Sequence, residues 1–137
     1  MPQYPYCIPK LNVGIGQTRF PDFLVITRSG FLDVVEIKTP STPLLQLDPG
    51  RGFYCWSREM GVAISQMETY LALCAEFRLA IADQLNQRYG VTASVVRPQG
   101  IIIAGNTRLF QSQPEKDAFR RLAQGLTQIR VMAYDEC

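Results

Sequence analysis

The sequence predicts an α/β fold with a mixed central β-sheet flanked by helices. Three observations carry that expectation. Two short runs rich in β-branched and apolar residues, 24–27 and 31–35, are joined by Arg28-Ser29-Gly30, a three-residue hairpin loop closing on glycine. A long amphipathic stretch then lies between Ser57 and Gly90. Finally, Ile101-Ile102-Ile103 is a near-continuous apolar run, typical of a central strand covered on both faces. The resulting order β-β-β-α-β-α-β calls for a mixed sheet with helices against it, as one domain over residues 1–137.

Taken in order, residues 4–16 read as a leading strand and a glycine-containing turn whose register the sequence leaves open. Residues 22–38 form the hairpin. If Thr27 faces Phe31, partners run outward as 26 with 32, 24 with 34 and 22 with 36. Asp22 then sits opposite Glu36 on one sheet face, and Lys38, two residues on, points the same way. Pro40, Pro43, Pro49, Gly50 and Gly52 make residues 39–56 an irregular loop. Ser57 is the expected N-cap of one helix running to Tyr89, with Gly90 as its stop and Glu59 favourably placed in its first turn. Met60, Ile64, Met67, Leu71 and Cys74, with Ala63, Phe77, Ile81 and Leu85 beside them, give that helix a broad buried stripe. A strand over 95–104, a helix from Pro114 to about Gly125 and a strand over 129–134 complete the chain.

At 137 residues the chain is long enough to bury a real core. No apolar run approaches the about 20 residues a membrane-spanning helix needs, and the start lacks a signal-peptide pattern, so the cytoplasm is the default expectation. Net charge is only +2, so charge alone announces no polyanion. Eleven of the fourteen basic residues are arginines, whose planar donor fork suits phosphate. Arg19, Arg28, Arg51 and Arg58 are the residues expected to flank the acidic pair if DNA binds.

Cys7, Cys55, Cys74 and Cys137 show no Cys-x-x-Cys spacing, which excludes the usual zinc patterns and points to reduced thiols. Histidine is absent, so no imidazole can serve as general base. Hydrolysis by this chain would rest on metal-bound water and carboxylates. Facing like charges are unfavourable across a ladder, so Asp22 and Glu36 imply a cation between them. Together with the Ile37 carbonyl they could half-fill the octahedral oxygen shell of Mg²⁺. Lys38 could orient water or stabilise a pentavalent phosphorus transition state. The competing reading makes Glu36 and Lys38 an exposed strand edge and Asp22 the start of a strand after Pro21; in both readings Glu36 is an exposed-edge carboxylate expected to contribute little to the core.

Gln66 and Tyr70 are four apart on one helical face, and Glu59 and Ala63 extend that stripe. Other residues take structural readings: Phe53, Tyr54 and Trp56 as a cluster packed on the sheet, Asp33 and Asp48 as solvated acids, and Glu59 as a charge at the helix dipole.

Pro21-Asp22-Phe23, Val35-Glu36-Ile37-Lys38, the Gln66-to-Tyr70 spacing, the strand at Gly100–Ile103 and the ending Tyr134-Asp135-Glu136 follow one another in a recognisable order. In this combination the chain resembles the PD-(D/E)XK phosphodiesterase superfamily, and within it the nuclease domain of Shedu anti-phage defence proteins. The resemblance implies a restriction-endonuclease-like core and Mg²⁺- or Mn²⁺-dependent DNA cleavage by oligomers. It assigns Asp22 and Glu36 as metal ligands, Lys38 as the catalytic lysine, Gln66 at the active site or on the DNA backbone, and Tyr70 in support. Only about twenty residues precede Asp22, so the chain reads as a minimal nuclease or as the catalytic part of a longer protein with a regulatory domain elsewhere. A repair, resolvase or restriction nuclease of the same fold, or a catalytically silent DNA-binding or assembly module, are the alternatives.

Overall fold

The computed structural model describes residues 6–11, 13 and 21–137. Five strands form one sheet in the order β1-β2-β3-β6-β7: β1 (Tyr6–Pro9), β2 (Phe23–Ile26), β3 (Leu32–Ile37), β6 (Gly100–Ile103) and β7 (Ile129–Met132). Pairing of β1 with β2 and β2 with β3 is antiparallel, while β3 with β6 and β6 with β7 is parallel. The sheet is therefore mixed, with β3 at its centre.

The hairpin follows the register expected from its short loop. Phe23 faces Val35 and Ile26 faces Leu32, and Thr27 N–H donates to the Phe31 carbonyl at 2.8 Å. Gly30 closes the loop at φ 86°, where a side chain would be strained.

Helix α1 (Arg58–Glu76) begins at Ser57, whose hydroxyl accepts from Met60 N–H. The expected single helix is broken: Phe77, at φ −107° and ψ 26°, separates α1 from α2 (Arg78–Tyr89), which ends at Gly90 as expected. The apolar stripe stays in phase through the break, with Cys74 before it and Ile81 and Leu85 after it all fully buried. Periodicity thus carries no trace of the kink. Helix α3 (Gln113–Gln124) has Pro114 in its first turn and starts at Ser112, which accepts from Glu115 N–H while the Glu115 carboxylate accepts from Gln111 N–H.

Residues 39–56 are not wholly irregular. They contain a second antiparallel pair, β4 (Leu45–Asp48) and β5 (Phe53–Trp56). Its turn is held by the Asp48 carboxylate, which accepts from Gly50 and Arg51 N–H, so Asp48 is a turn residue rather than a free surface acid. Pro40 and Pro43 precede this hairpin, and Pro49, Gly50 and Gly52 fall inside its turn. The strand expected over 95–104 shrinks to β6, because Arg97 at φ 45° and Pro98 interrupt extended pairing before it.

The main core lies between one sheet face and the helices. Leu24, Ile26, Leu32, Val34, Ile102 and Val131 meet Met60, Ala63, Met67, Leu71, Ile81 and Leu85 there. Helix α1 crosses β3 and β6 closely enough that a β-carbon at Gly100 would lie 2.5 Å from Met67 Cγ. On the second face Val25, Val35 and Ile101 cluster with Phe23, Ile103 and Met132, and no described helix residue joins them. Coverage of β6 on both faces, expected from its sequence, is thus provided by helices on one side only. Trp56 packs against the main core and meets Phe119 of α3 edge-on, with ring centroids 6.0 Å apart. Phe53 is exposed.

Candidate active site

Strand alternation puts every second residue of β3 on the helix-covered face: Leu32, Val34 and Glu36. Glu36 is therefore buried, 4% exposed, in the middle strand. The expectation of an exposed edge carboxylate fails because β6 and β7 continue the sheet beyond β3.

Asp22 occupies the next rung beyond Phe23 and Val35. Its N–H donates to Glu36 Oε1 at 2.7 Å, and its Oδ2 accepts from Ile37 N–H at 2.8 Å. Side chains thus supply the hydrogen bonds at this rung, giving each carboxylate a main-chain donor. On the other side, Lys10 N–H donates to the Asp22 carbonyl at 3.2 Å, and Lys10 Nζ lies 3.0 Å from Asp22 Oδ1. Lys10, Asp22 and Glu36 form one row across three strands.

Their electrostatics diverge. Burial raises the Asp22 pKa, but the Ile37 N–H, the Lys10 hydrogen bond and charge, and the Lys38 charge outweigh it, leaving Asp22 below its ordinary value. Burial and the Asp22 charge push Glu36 above its ordinary value, against the opposing Asp22 N–H, Lys38 and Lys10.

Lys38 is half-buried just past β3, on the Glu36 face by alternation. Its N–H donates to the Ile103 carbonyl at 2.8 Å, and its own carbonyl accepts from the Tyr134 hydroxyl. The last turn, Tyr134–Glu136, is anchored in turn: Tyr134 N–H donates to Gly105 O at 2.9 Å, and Asp135 accepts from both Thr107 N–H and its hydroxyl. The ends of β3, β6 and β7 are thereby tied together.

Gln66 is exposed on α1, and its Nε2 donates to the buried Tyr70 hydroxyl at 3.0 Å. Among the described residues no hydrogen bond joins Gln66 to Asp22, Glu36 or Lys38. Glu59 is exposed in the first turn of α1, as its dipole reading requires. Arg58 begins α1 and Arg51 sits in the β4–β5 turn, both exposed. Ser57 N–H bonds Leu44 O and Thr42 N–H bonds Thr39 O, which sets the start of α1 at the Lys38 end of β3. Arg28 lies in the hairpin loop, at the opposite end of β2 from Asp22, and so does not flank the acids. Arg19 lies outside the described residues. Asp33, expected to be solvated, is buried and accepts from Gln99 N–H at 2.9 Å.

One residue at this site carries no signal in the sequence, and a second carries one only through resemblance. Lys10 went unnoticed because a long segment separates β1 from β2, and no turn-length rule fixes its register. Tyr134 was singled out for resemblance alone, since its contact with Lys38 spans 96 positions.

Among the described residues there is no group of three or more His, Cys, Asp or Glu suited to a metal. Asp22, Glu36 and the Ile37 carbonyl are hard oxygen donors, a set that suits an ion keeping several waters. An ammonium already rests against Asp22, so the position favours positive charge. The donor set fits Mg²⁺ or Mn²⁺.

A family model described as "Shedu protein SduA, C-terminal" matches residues 4–137. The chain is also similar to the Shedu protein SduA of Bacillus cereus (strain B4264), 29% identical over 107 residues, covering 75% of this chain and 28% of that protein. It thus spans under a third of that relative's length. No described helix is long and apolar enough to cross a membrane.

Proposed function

The chain belongs to the Shedu protein SduA C-terminal family, and on that premise we propose that it is a divalent-metal-dependent DNA nuclease domain acting in anti-phage defence. The observation that carries this reading is the Asp22–Glu36 contact, the 2.7 Å bond from Asp22 N–H to the Glu36 carboxylate, on the face that Lys38 shares. This constellation is the one expected of a PD-(D/E)XK core.

In this reading Asp22, Glu36 and the Ile37 carbonyl hold Mg²⁺ or Mn²⁺. When bound, such an ion lowers the pKa of water and offsets charge developing on a phosphodiester. Lys38 donates to a non-bridging phosphate oxygen as negative charge builds there. Its main chain is held on both sides, by Ile103 and Tyr134, so the side chain starts from a fixed root. Gln66, restrained through Tyr70, offers its amide oxygen toward the nucleophile or the DNA backbone. Arg58, at the same end of the sheet as Lys38, supplies phosphate contacts together with Arg51 and Arg19. Oligomers of the domain engage DNA.

The test is incubation of the chain with plasmid and linear DNA in Mg²⁺, Mn²⁺ or EDTA. Cleavage is expected with either metal and none with EDTA. Glu36→Ala and Lys38→Ala should lose cleavage, the latter while still binding DNA. Wild-type cutting by Glu36→Ala refutes the mechanism. No cutting by the intact chain in any metal leaves a DNA-binding or assembly module.

A further inference from the structure

Lys10 departs from what a surface lysine on an edge strand ordinarily does. Its backbone is left-handed at φ 54°, a conformation uncommon outside glycine and one that the surroundings must impose. That conformation ends β1 while keeping Lys10 N–H on the Asp22 carbonyl at 3.2 Å. The side chain, 66% exposed, nevertheless turns back to set Nζ 3.0 Å from Asp22 Oδ1. Asp22 Oδ2 already accepts from Ile37 N–H, so the ammonium sits on the oxygen that no described main-chain donor holds, and an incoming ion meets it there. Main chain and side chain of one residue thus both address the same acid.

We propose that Lys10 is the resident counter-ion of this site: its ammonium occupies Asp22 Oδ1, a divalent ion binds by displacing it, and Lys10 thereby sets the metal concentration the site requires. The inference rests on the metal-dependent reading above and assigns a role to a residue outside the Asp22–Glu36–Lys38 set. Displacement is physically accessible because the ammonium is mostly in water and its pair with Asp22 is of the weakly held, half-exposed kind. The Lys10 main chain stays bonded to Asp22 throughout, so only the side chain has to move. Once an ion is bound, the released ammonium remains beside a doubly charged neighbour. Removing it therefore relieves both the competition for Oδ1 and the repulsion.

The experiment measures Mn²⁺ affinity of the full 137-residue chain by the electron paramagnetic resonance of free Mn²⁺, without DNA and without turnover. Lys10→Met keeps the aliphatic stem and should tighten Mn²⁺ binding by about five-fold, the change that breaking such a pair allows. Lys10→Arg keeps the charge and should bind within about two-fold of wild type. Asp22→Ala should lose binding. Circular dichroism verifies that each variant is folded. If wild type binds Mn²⁺ through Asp22 but Lys10→Met binds equally or more weakly, the counter-ion role is overturned and the metal reading stands. If wild type binds no Mn²⁺, or Asp22→Ala binds as wild type does, the metal reading fails and this inference falls with it.

Discussion

Glu36 and Asp22 respond to protons in opposite senses, and the sign of each follows from its surroundings. Glu36 titrates above its ordinary 4.5 in the fold because burial and the Asp22 charge disfavour its ionised form. The native state therefore holds that proton longer than the unfolded chain, and stability contributed by protonated Glu36 is lost as pH rises from about 4.5 through the folded value. At pH 7 its charge is a cost. Glu36→Gln should accordingly raise Tm by about 2–5 °C while abolishing cleavage, the pattern of a residue kept for function at the expense of stability. Differential scanning calorimetry at pH 7 checks it, and an unchanged or lower Tm contradicts the electrostatic account. Asp22, held below its ordinary 3.8, contributes stability above that value and loses it as pH falls through its folded pKa. Asp22→Ala strips Ile37 N–H and Lys10 of their partner and should cost about 1–2 kcal/mol at pH 7, with the deficit shrinking toward pH 3. Chemical denaturation at both pH values reads this out. The pairing of these two acids could be counted from the sequence because a three-residue loop leaves the hairpin one register. Nothing comparable ties Lys10 to Asp22, or Tyr134 to Lys38.

Among the elements, those whose boundaries rest on local chemistry were legible: Ser57 as a helix start, Gly90 as a stop, and Pro114 in the first turn of α3. Those decided by tertiary contacts were not. The prolines and glycines of 39–56 read as an irregular loop, whereas they lead into a hairpin and form its turn around Leu45–Asp48 and Phe53–Trp56. The break at Phe77 leaves the apolar stripe intact and so left no mark in the sequence. The α1–β6 contact makes a demand that can be measured. Gly100→Ala would press on Met67 at 2.5 Å and Leu71 at 3.3 Å in a filled core, and should destabilise by about 1–3 kcal/mol through overpacking. A urea midpoint equal to wild type would mean that α1 sits farther from β6. The tie from the last turn to β3 makes a separate demand. Tyr134→Phe deletes only the hydroxyl that holds the Lys38 carbonyl. Cleavage should fall about ten-fold through kcat, the loss of about 1.4 kcal/mol of positioning, with Mn²⁺ affinity unchanged.

Across the whole molecule, α1 and α2 seal one face of the sheet, and the thiols report how tightly. All four cysteines are free; Cys7 and Cys137 are exposed, while Cys74 is on the buried face of α1 with its pKa pushed up to about 12 by burial alone. At pH 8 a thiol reagent should modify Cys7 and Cys137 at once and Cys74 only at the rate of opening of the core. Fast labelling of Cys74 in native buffer would show that the helical layer opens locally. The sheet with helices against it was foreseen from the order of elements, since parallel strands need crossovers long enough to hold them. That the helices would gather on one side was not, because runs such as Ile101–Ile103 look the same whether one face or both are covered.

The contacts that assemble the site differ greatly in chain separation. Those between Asp22 and its partners Glu36 and Ile37 span only 14 and 15 positions and can close with the hairpin itself, on a timescale of about microseconds. The tether on Lys38 spans 96 and must wait for β6 and β7 to dock. A chain still emerging from the ribosome can therefore have gathered both acids while its lysine swings loose. On the nuclease reading proposed above, that delay is a safeguard, because the lysine is seated only after both acids have met.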